Sequence, residues 1–257
     1  MDRIKKNMGS SLKSVSMPDG PGYQKTVLNN GIKVITEEIP YLKSVSIGIW
    51  VTTGSRDEQP QENGISHFIE HLLFKGTERR TALDIAKEID SVGGTLNAFT
   101  GREYTCFYAK VIDKNLSLAI DLLSDIFLHS LMDEKDVEKE RMVILQEIKM
   151  VEDTPDNYVH DLFNRTCWGD HPLGFPICGT EERVKSFSRD KIEQFFRTHY
   201  QSDRIIVCAA GHLQHQEVVD LIEATFGQIS KSNRVRERVK PLSISTTHIS
   251  KRDLEQV

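Results

Sequence analysis

The stretch Gly64-Ile65-Ser66-His67-Phe68-Ile69-Glu70-His71-Leu72-Leu73-Phe74-Lys75-Gly76-Thr77 constrains this chain more than any other. Placed on a helix at about 100° per residue, Ile65, Phe68, Ile69, Leu72 and Leu73 share one arc, and His67, Glu70 and His71 share the other. One face packs; the other carries groups that bind cations or move protons. His67 and His71 are four residues apart, so their imidazoles stand one turn above the other and can close on a single metal ion, with Glu70 beside them. The order His-x-x-Glu-His thus supplies two ligands and a base. A hydrolytic zinc site wants three protein ligands and one open position, so a third ligand has to come from elsewhere in the chain.

With 257 residues, 38% of them hydrophobic, the chain can bury a sizeable core as one large domain or two small ones. No apolar run reaches the length of a membrane span, and the start Met1-Asp2-Arg3-Ile4-Lys5-Lys6 lacks the apolar core of a secretory signal. Residues 1–22 read as a polar, flexible tail rather than a transit peptide, since they hold Asp2 and Asp19. A net charge of −5 argues against a nucleic-acid surface and leaves room for a site that attracts cationic segments, and neither a nucleic-acid nor a membrane partner is expected. Cys106, Cys167, Cys178 and Cys208 are scattered without a Cys-x-x-Cys spacing, so reduced, mostly buried thiols in a cytosol-like compartment are expected.

In chain order, Lys25–Leu28, a turn at Asn29-Asn30-Gly31 and Ile32–Thr36 read as a hairpin. Ser44–Thr53 is a β-branched strand, and Gly54–Asn63 a polar loop leading to the His67 helix. Thr81 and Asp84 form a capping box for a second helix that stops at Gly93-Gly94. Two strands follow (Leu96–Thr100, Tyr104–Ala109), then a helix over Asn115–Ser130, and after Asp133 a long helix continuing past Pro155 to Trp168. A turn-rich loop, a helix at Ser188–Tyr200, a strand at Arg204–Ala210 and a helix at Gln214–Phe226 complete residues 23–230. This succession predicts an α+β domain, a mainly antiparallel sheet covered by helices. Lys231–Lys240 reads as a basic linker, and Ser243–Val257 turns extended again.

The helix after Asp133 holds the missing ligand. Its apolar stripe is expected at Val143, Ile144, Ile148, Met150 and Val151, and projection puts Glu147 inside it, with Glu140 in line two turns earlier. Unpaired buried carboxylates are disfavoured, and one cation would compensate both. His67, His71 and Glu147 then make the ligand set for one Zn2+ per chain, with Glu70 as general base. Glu140 is placed to hold a ligand histidine by hydrogen bonding. His160, His171, His199, His212 and His215 show no ligand spacing and read as structural.

With these residues in view, the chain resembles the pitrilysin and insulysin family of inverted-motif zinc peptidases, nearest the branch of mitochondrial processing peptidase and its bacterial relatives. The resemblance rests on residues 64–77, Leu96-Asn97-Ala98-Phe99-Thr100, Glu140-Arg141 with Val143–Ile148, the 76 positions from His71 to Glu147, Asp170–Gly174 and Gly179-Thr180. It implies His67, His71 and Glu147 as ligands, Glu70 as base and Glu140 as an auxiliary acid in a zinc endopeptidase. It also implies that Asn97, Ala98 and Phe99 pair with an extended peptide or presequence by strand addition. Members of the branch carry two similar halves that enclose substrate. This chain resembles the amino-terminal half, with Lys251–Val257 like the start of the second, and no residue here matches the Arg and Tyr that the second half supplies. A carboxy-terminal half or partner subunit is therefore expected, a homodimer being another arrangement, with little activity from this half alone. The resemblance implies a bacterial cytoplasmic location, or else the mitochondrial matrix. Such a family also contains non-catalytic scaffold subunits, but these lose part of the metal set that is complete here.

Overall fold

A computed structural model describes residues 22–231 and 238–251. The expected tail therefore lies almost wholly outside the described residues, as do much of the basic linker and the chain end from Arg252 to Val257. The strands are β1 (Gln24–Val27), β2 (Lys33–Glu38), β3 (Ser44–Val51), β4 (Thr95–Thr100), β5 (Thr105–Ile112) and β6 (Ile205–Gly211). The helices are α1 (Ile65–Leu73), α2 (Ala82–Ser91), α3 (Leu116–Leu128), α4 (Glu134–Asp153), α5 (Pro155–Trp168), α6 (Glu181–Ser186), α7 (Arg189–His199) and α8 (His215–Phe226).

The six strands form one sheet in the order β1-β2-β6-β3-β5-β4. Only β2 and β6 run parallel; every other pairing is antiparallel. The fold is thus the mainly antiparallel α+β layer that the order of elements predicts. The last strand, however, does not close the layer: β6 inserts between β2 and β3, so residues far apart in sequence form the sheet centre. Val45, Ile47, Ile49 and Val51 of β3, Phe107 and Ala109 of β5 and Ile205, Val207 and Ala209 of β6 point into one core, following the two-residue period of a strand. The strand β4 is left as an edge.

Helix α1 has nine residues, too few to be stable alone, and is held by packing. Ile65, Phe68, Ile69, Leu72 and Leu73 are all fully buried, each stabilising the fold by about 1.5–3 kcal/mol. The capping box at α2 forms as expected, with Asp84 N–H donating to Thr81 Oγ1 at 3.2 Å and Thr81 N–H to Asp84 Oδ2 at 3.0 Å.

Four expectations need correction. The buried stripe of α4 is Val137, Glu140, Arg141, Ile144, Leu145 and Ile148, whereas Val143 and Met150 are exposed. The stripe is rotated because Arg141 turns inward, its guanidinium donating to the carbonyls of Val184 and Phe187 and to Glu138. The stretch Gly54–Asn63 is no simple polar loop: Ser55, Glu58 and Asn63 are buried. Of the four free cysteines only Cys106 is buried, and the others are half-buried. In the described part of Ser243–Val257 no regular strand forms.

Candidate metal centre

Helices α1 and α4 pack against each other and bring the predicted ligands together. Glu147 Oε2 lies 3.7 Å from His67 Nε2 and 3.6 Å from His71 Nε2. Donor atoms of the three residues all lie within 4.8 Å of one another. These separations are too long for good hydrogen bonds, but a tetrahedral centre with bonds near 2.1 Å spaces its donors about 3.4 Å apart. The charges point the same way. Glu70, Glu140 and Glu147 contribute three formal negative charges against one positive charge on Lys75, which leaves −2 when the imidazoles are neutral. One divalent cation would balance that, so the residues present fit zinc.

The imidazoles are arranged to be ligands. Their ring centroids are 4.7 Å apart and the rings cross at 70°. Burial holds His67 well below the ordinary imidazole value, against the pull of Glu147, so its ring is neutral at neutral pH as a ligand must be. His71 is less buried. Burial lowers its pKa, but the carboxylates of Glu147 and Glu140 outweigh this and raise it. Glu140, itself buried, faces His71 Nδ1 across 3.2 Å through Oε2, while Lys75 Nζ sits 2.9 Å from Oε1. This is the carboxylate–histidine contact that fixes a ligand ring's tautomer and orientation. His67 lacks the equivalent: its Nδ1 is buried without a hydrogen-bond partner among the described residues.

Glu70 faces the same space from α1. Thr100 Oγ1, on the edge strand β4, donates to Glu70 Oε2 at 2.5 Å. Burial raises the Glu70 pKa above the ordinary carboxylate range, with the Thr100 hydrogen bond opposing it. A carboxylate moved towards neutrality is suited to accept and return a proton at neutral pH. Glu147 is held low, first by its pairing with His71, and so stays ionised. Its second oxygen, Oε1, has the Cys178 thiol at 4.0 Å. Burial pushes that thiol up to about 12, helped by Glu147, so it remains protonated.

The predicted substrate residues are only partly assembled here. Ala98 packs towards the core, and Asn97 Oδ1 accepts the Ala98 N–H at 2.8 Å. Phe99 is 40% exposed and turns to the opposite sheet face, where it meets Trp50, Tyr104 and Tyr108. Strand alternation makes this unavoidable: if Thr100 reaches Glu70, Phe99 must point away. Its backbone edge stays at the site while its side chain leaves it. Sequence reasoning missed Thr100, Lys75, Cys178 and Glu58; only Glu58, an acid six residues ahead of the capping Gly64, had a local signal.

Four of the five histidines read as structural have partners of that kind. His215 bridges Thr26 and Thr36, His212 pairs with Asp113, and His199 stacks on Phe195. His171 accepts from the Leu173 N–H, and His160 is exposed.

The family model of insulinase, peptidase family M16, matches residues 33–181 and so spans α1, β4 and the Glu147 helix. The chain belongs to the insulinase family of peptidases. The model of the family's inactive domain follows over residues 186–256. An uncharacterized zinc protease of Bacillus subtilis is 43% identical over 227 residues, covering 88% of this chain and 55% of the relative. One from Streptomyces coelicolor is 49% identical over 203 residues, 79% of this chain and 44% of the relative. The probable beta subunit of mitochondrial-processing peptidase from Arabidopsis thaliana is 41% identical, over 82% of this chain and 40% of its own length. The chain thus spans about half the length of these relatives. Among solved structures, a protease from Helicobacter pylori shares the fold with a TM-score of 0.79 at 24% identity, over 86% of this chain and 54% of that one. A peptidase M16 inactive domain from Pseudomonas fluorescens shares it equally, with a TM-score of 0.79 at 13% identity and the same coverage of both chains. The fold is therefore shared with a chain named a protease and with one named an inactive domain, so it does not by itself separate the two.

Proposed function

We propose that this chain is the zinc-bearing half of an endopeptidase of processing type, acting on extended peptides or presequences. The observation that supports this best is the convergence of His67, His71 and Glu147 from two helices, with Glu70 alongside and oriented by Thr100. His67, His71 and Glu147 would hold one zinc ion, which when bound supplies Lewis acidity and lowers the pKa of water. Glu70 takes the proton from the attacking water and returns it to the leaving amine, a role its raised pKa suits. Glu140 keeps His71 in its ligand tautomer and is shielded from the solvent by burial. Strand β4 is an edge strand whose Thr100 touches Glu70, so a substrate adding to it as a strand would lie next to the base.

The rest of the site is contributed by the carboxy-terminal half or a partner subunit, and the isolated chain is a weak peptidase. Metal analysis after mild purification should find about one zinc per chain, and Glu70→Gln should keep that zinc while abolishing turnover of the complete enzyme. A chain that holds no zinc would sink the proposal.

The similarity to an inactive domain favours a second reading, a non-catalytic scaffold. Against it stands the intact set of His67, Glu70, His71 and Glu147. Turnover indifferent to Glu70→Gln would select the scaffold.

A further inference from the structure

We infer that Glu58 is a positioning residue for the metal site, fixing the first turn of α1 with His67 and the segment that touches Glu147. The inference rests on the metal reading of the preceding section.

Helix α1 starts without a side-chain cap of its own, because the capping position is Gly64. Glu58, six residues upstream, serves instead. Its Oε2 accepts the Gly64 N–H at 2.9 Å and its Oε1 accepts the Ser66 N–H at 2.9 Å, the amide next to His67. Asn63 Nδ2 donates to the same Oε2 at 3.2 Å and to the Pro176 carbonyl at 2.9 Å, which ties this corner to the 176–179 loop.

Backbone contact completes the join. Gly64 and Gly179 both have positive φ, +96° and +79°, and lie back to back. A Cβ on Gly64 would come within 2.7 Å of Gly179 Cα, and one on Gly179 within 2.5 Å of the Asn63 carbonyl oxygen, so neither site admits a larger residue. The residue between Pro176's neighbour and this contact is Cys178, whose thiol stands 4.0 Å from Glu147 Oε1. Through Asn63, the Glu58 carboxylate therefore joins the element that carries His67 to the loop that abuts Glu147.

A helix cap alone would not require this arrangement. Serine or aspartate at the capping position satisfies the same amides at the surface, whereas Glu58 is 1% exposed and incurs the desolvation cost of a buried acid. What the buried carboxylate adds is registry between three segments. Held by backbone amides and an asparagine, it leaves the first turn of α1 little freedom to rotate, and rotation there would swing His67 away from Glu147.

The test uses Co2+ as the probe, read by chelator competition and by its visible absorption, on the chain and its Glu58→Gln, Glu58→Ala and Asp121→Ala variants. Expected are a loss of cobalt affinity of roughly 10–100-fold and an altered spectrum for Glu58→Ala. A smaller loss is expected for the isosteric Glu58→Gln, and none for Asp121→Ala, which removes the ion pairs to Arg79 and Arg80 outside the metal ligand set. Thermal unfolding of the metal-free proteins is measured in parallel. Lowered melting temperatures with parental cobalt affinity and spectrum in the Glu58 variants would overturn the inference and leave a plain helix cap. If Glu58→Ala does not fold, Glu58→Gln decides in the same way. A parent chain that takes up no cobalt would instead overturn the metal reading, and this inference with it.

Discussion

Just past α1, Arg79 and Arg80 meet Asp121 and Asp125 of α3 at 2.6 to 2.9 Å, Arg80 also reaches Glu88, and Thr77 donates to Asp125. At the metal centre, Glu147 of α4 stands 3.6 and 3.7 Å from the two imidazoles of α1, and the carboxylates outnumber the cations. Both clusters are polar, partly buried and built from residues distant in sequence. The first has each charge in direct contact with an opposite one, and its work is to pin the chain after α1 to α3. The second has donors aimed at a common point with spacing suited to an ion. A structural ion-pair cluster closes on itself; a binding site leaves its donors converging on a gap.

This difference can be broken or sharpened by mutation. Removing Asp125, whose side chain is fully buried, leaves Arg79, Arg80 and Thr77 without their shared acceptor and should destabilise the fold by about 3–5 kcal/mol in urea unfolding, with metal affinity unchanged. The reverse is expected for Glu147→Gln. Zinc affinity by chelator competition should fall roughly a thousandfold, about 4 kcal/mol, while metal-free stability moves by no more than about 0.5 kcal/mol. Glu140→Gln should weaken zinc by roughly 10–100-fold through a less firmly oriented His71.

Acid should separate the clusters along the pH axis. Protons compete with metal at His71, whose pKa is raised, so zinc affinity should drop by about tenfold per pH unit once pH falls below the raised His71 value, a loss that begins above the ordinary imidazole value. Burial raises Asp121 and Asp125, but the arginines more than reverse this and hold both below the ordinary carboxylate value. A depressed native pKa gives stability that is complete above the unfolded value and lost as pH falls through the native one, so this cluster should fail only below about pH 4. Zinc should therefore leave a chain that is still folded, and simultaneous loss in a pH titration followed by metal release and circular dichroism would erase the distinction. The smallest effect is expected for Thr100→Val, which removes the hydrogen bond to Glu70. Turnover of the complete enzyme should fall by less than about tenfold, with zinc unchanged.

Much of the site is legible in the chain. His67 and His71 are forced onto one face by helical spacing, and Glu147 betrays itself as a carboxylate on a helix with an apolar stripe. The stripe itself was harder to place: Arg141 reads as exposed until its carbonyl partners at Val184 and Phe187, some forty residues on, are seen to bury it. Phe99 shows a related limit. The sequence puts it on the strand beside the site, but which way that strand's side chains turn depends on the contact between Thr100 and Glu70.

The element that commands the chain was fixed locally. Nine residues with their apolar positions on one arc and His-x-x-Glu-His on the other can only be a helix that buries one face and offers ligands on the other, because a 3.6-residue period leaves no alternative. Local sequence likewise determined the hairpin at Asn29-Asn30-Gly31, the capping box at Thr81 and the α+β class. Tertiary structure decided where β6 enters the sheet, how far α4 is rotated, and that Glu58 reaches the amides beside His67. Those outcomes depend on pairings between segments separated by many residues, and propensity and periodicity act only within a segment.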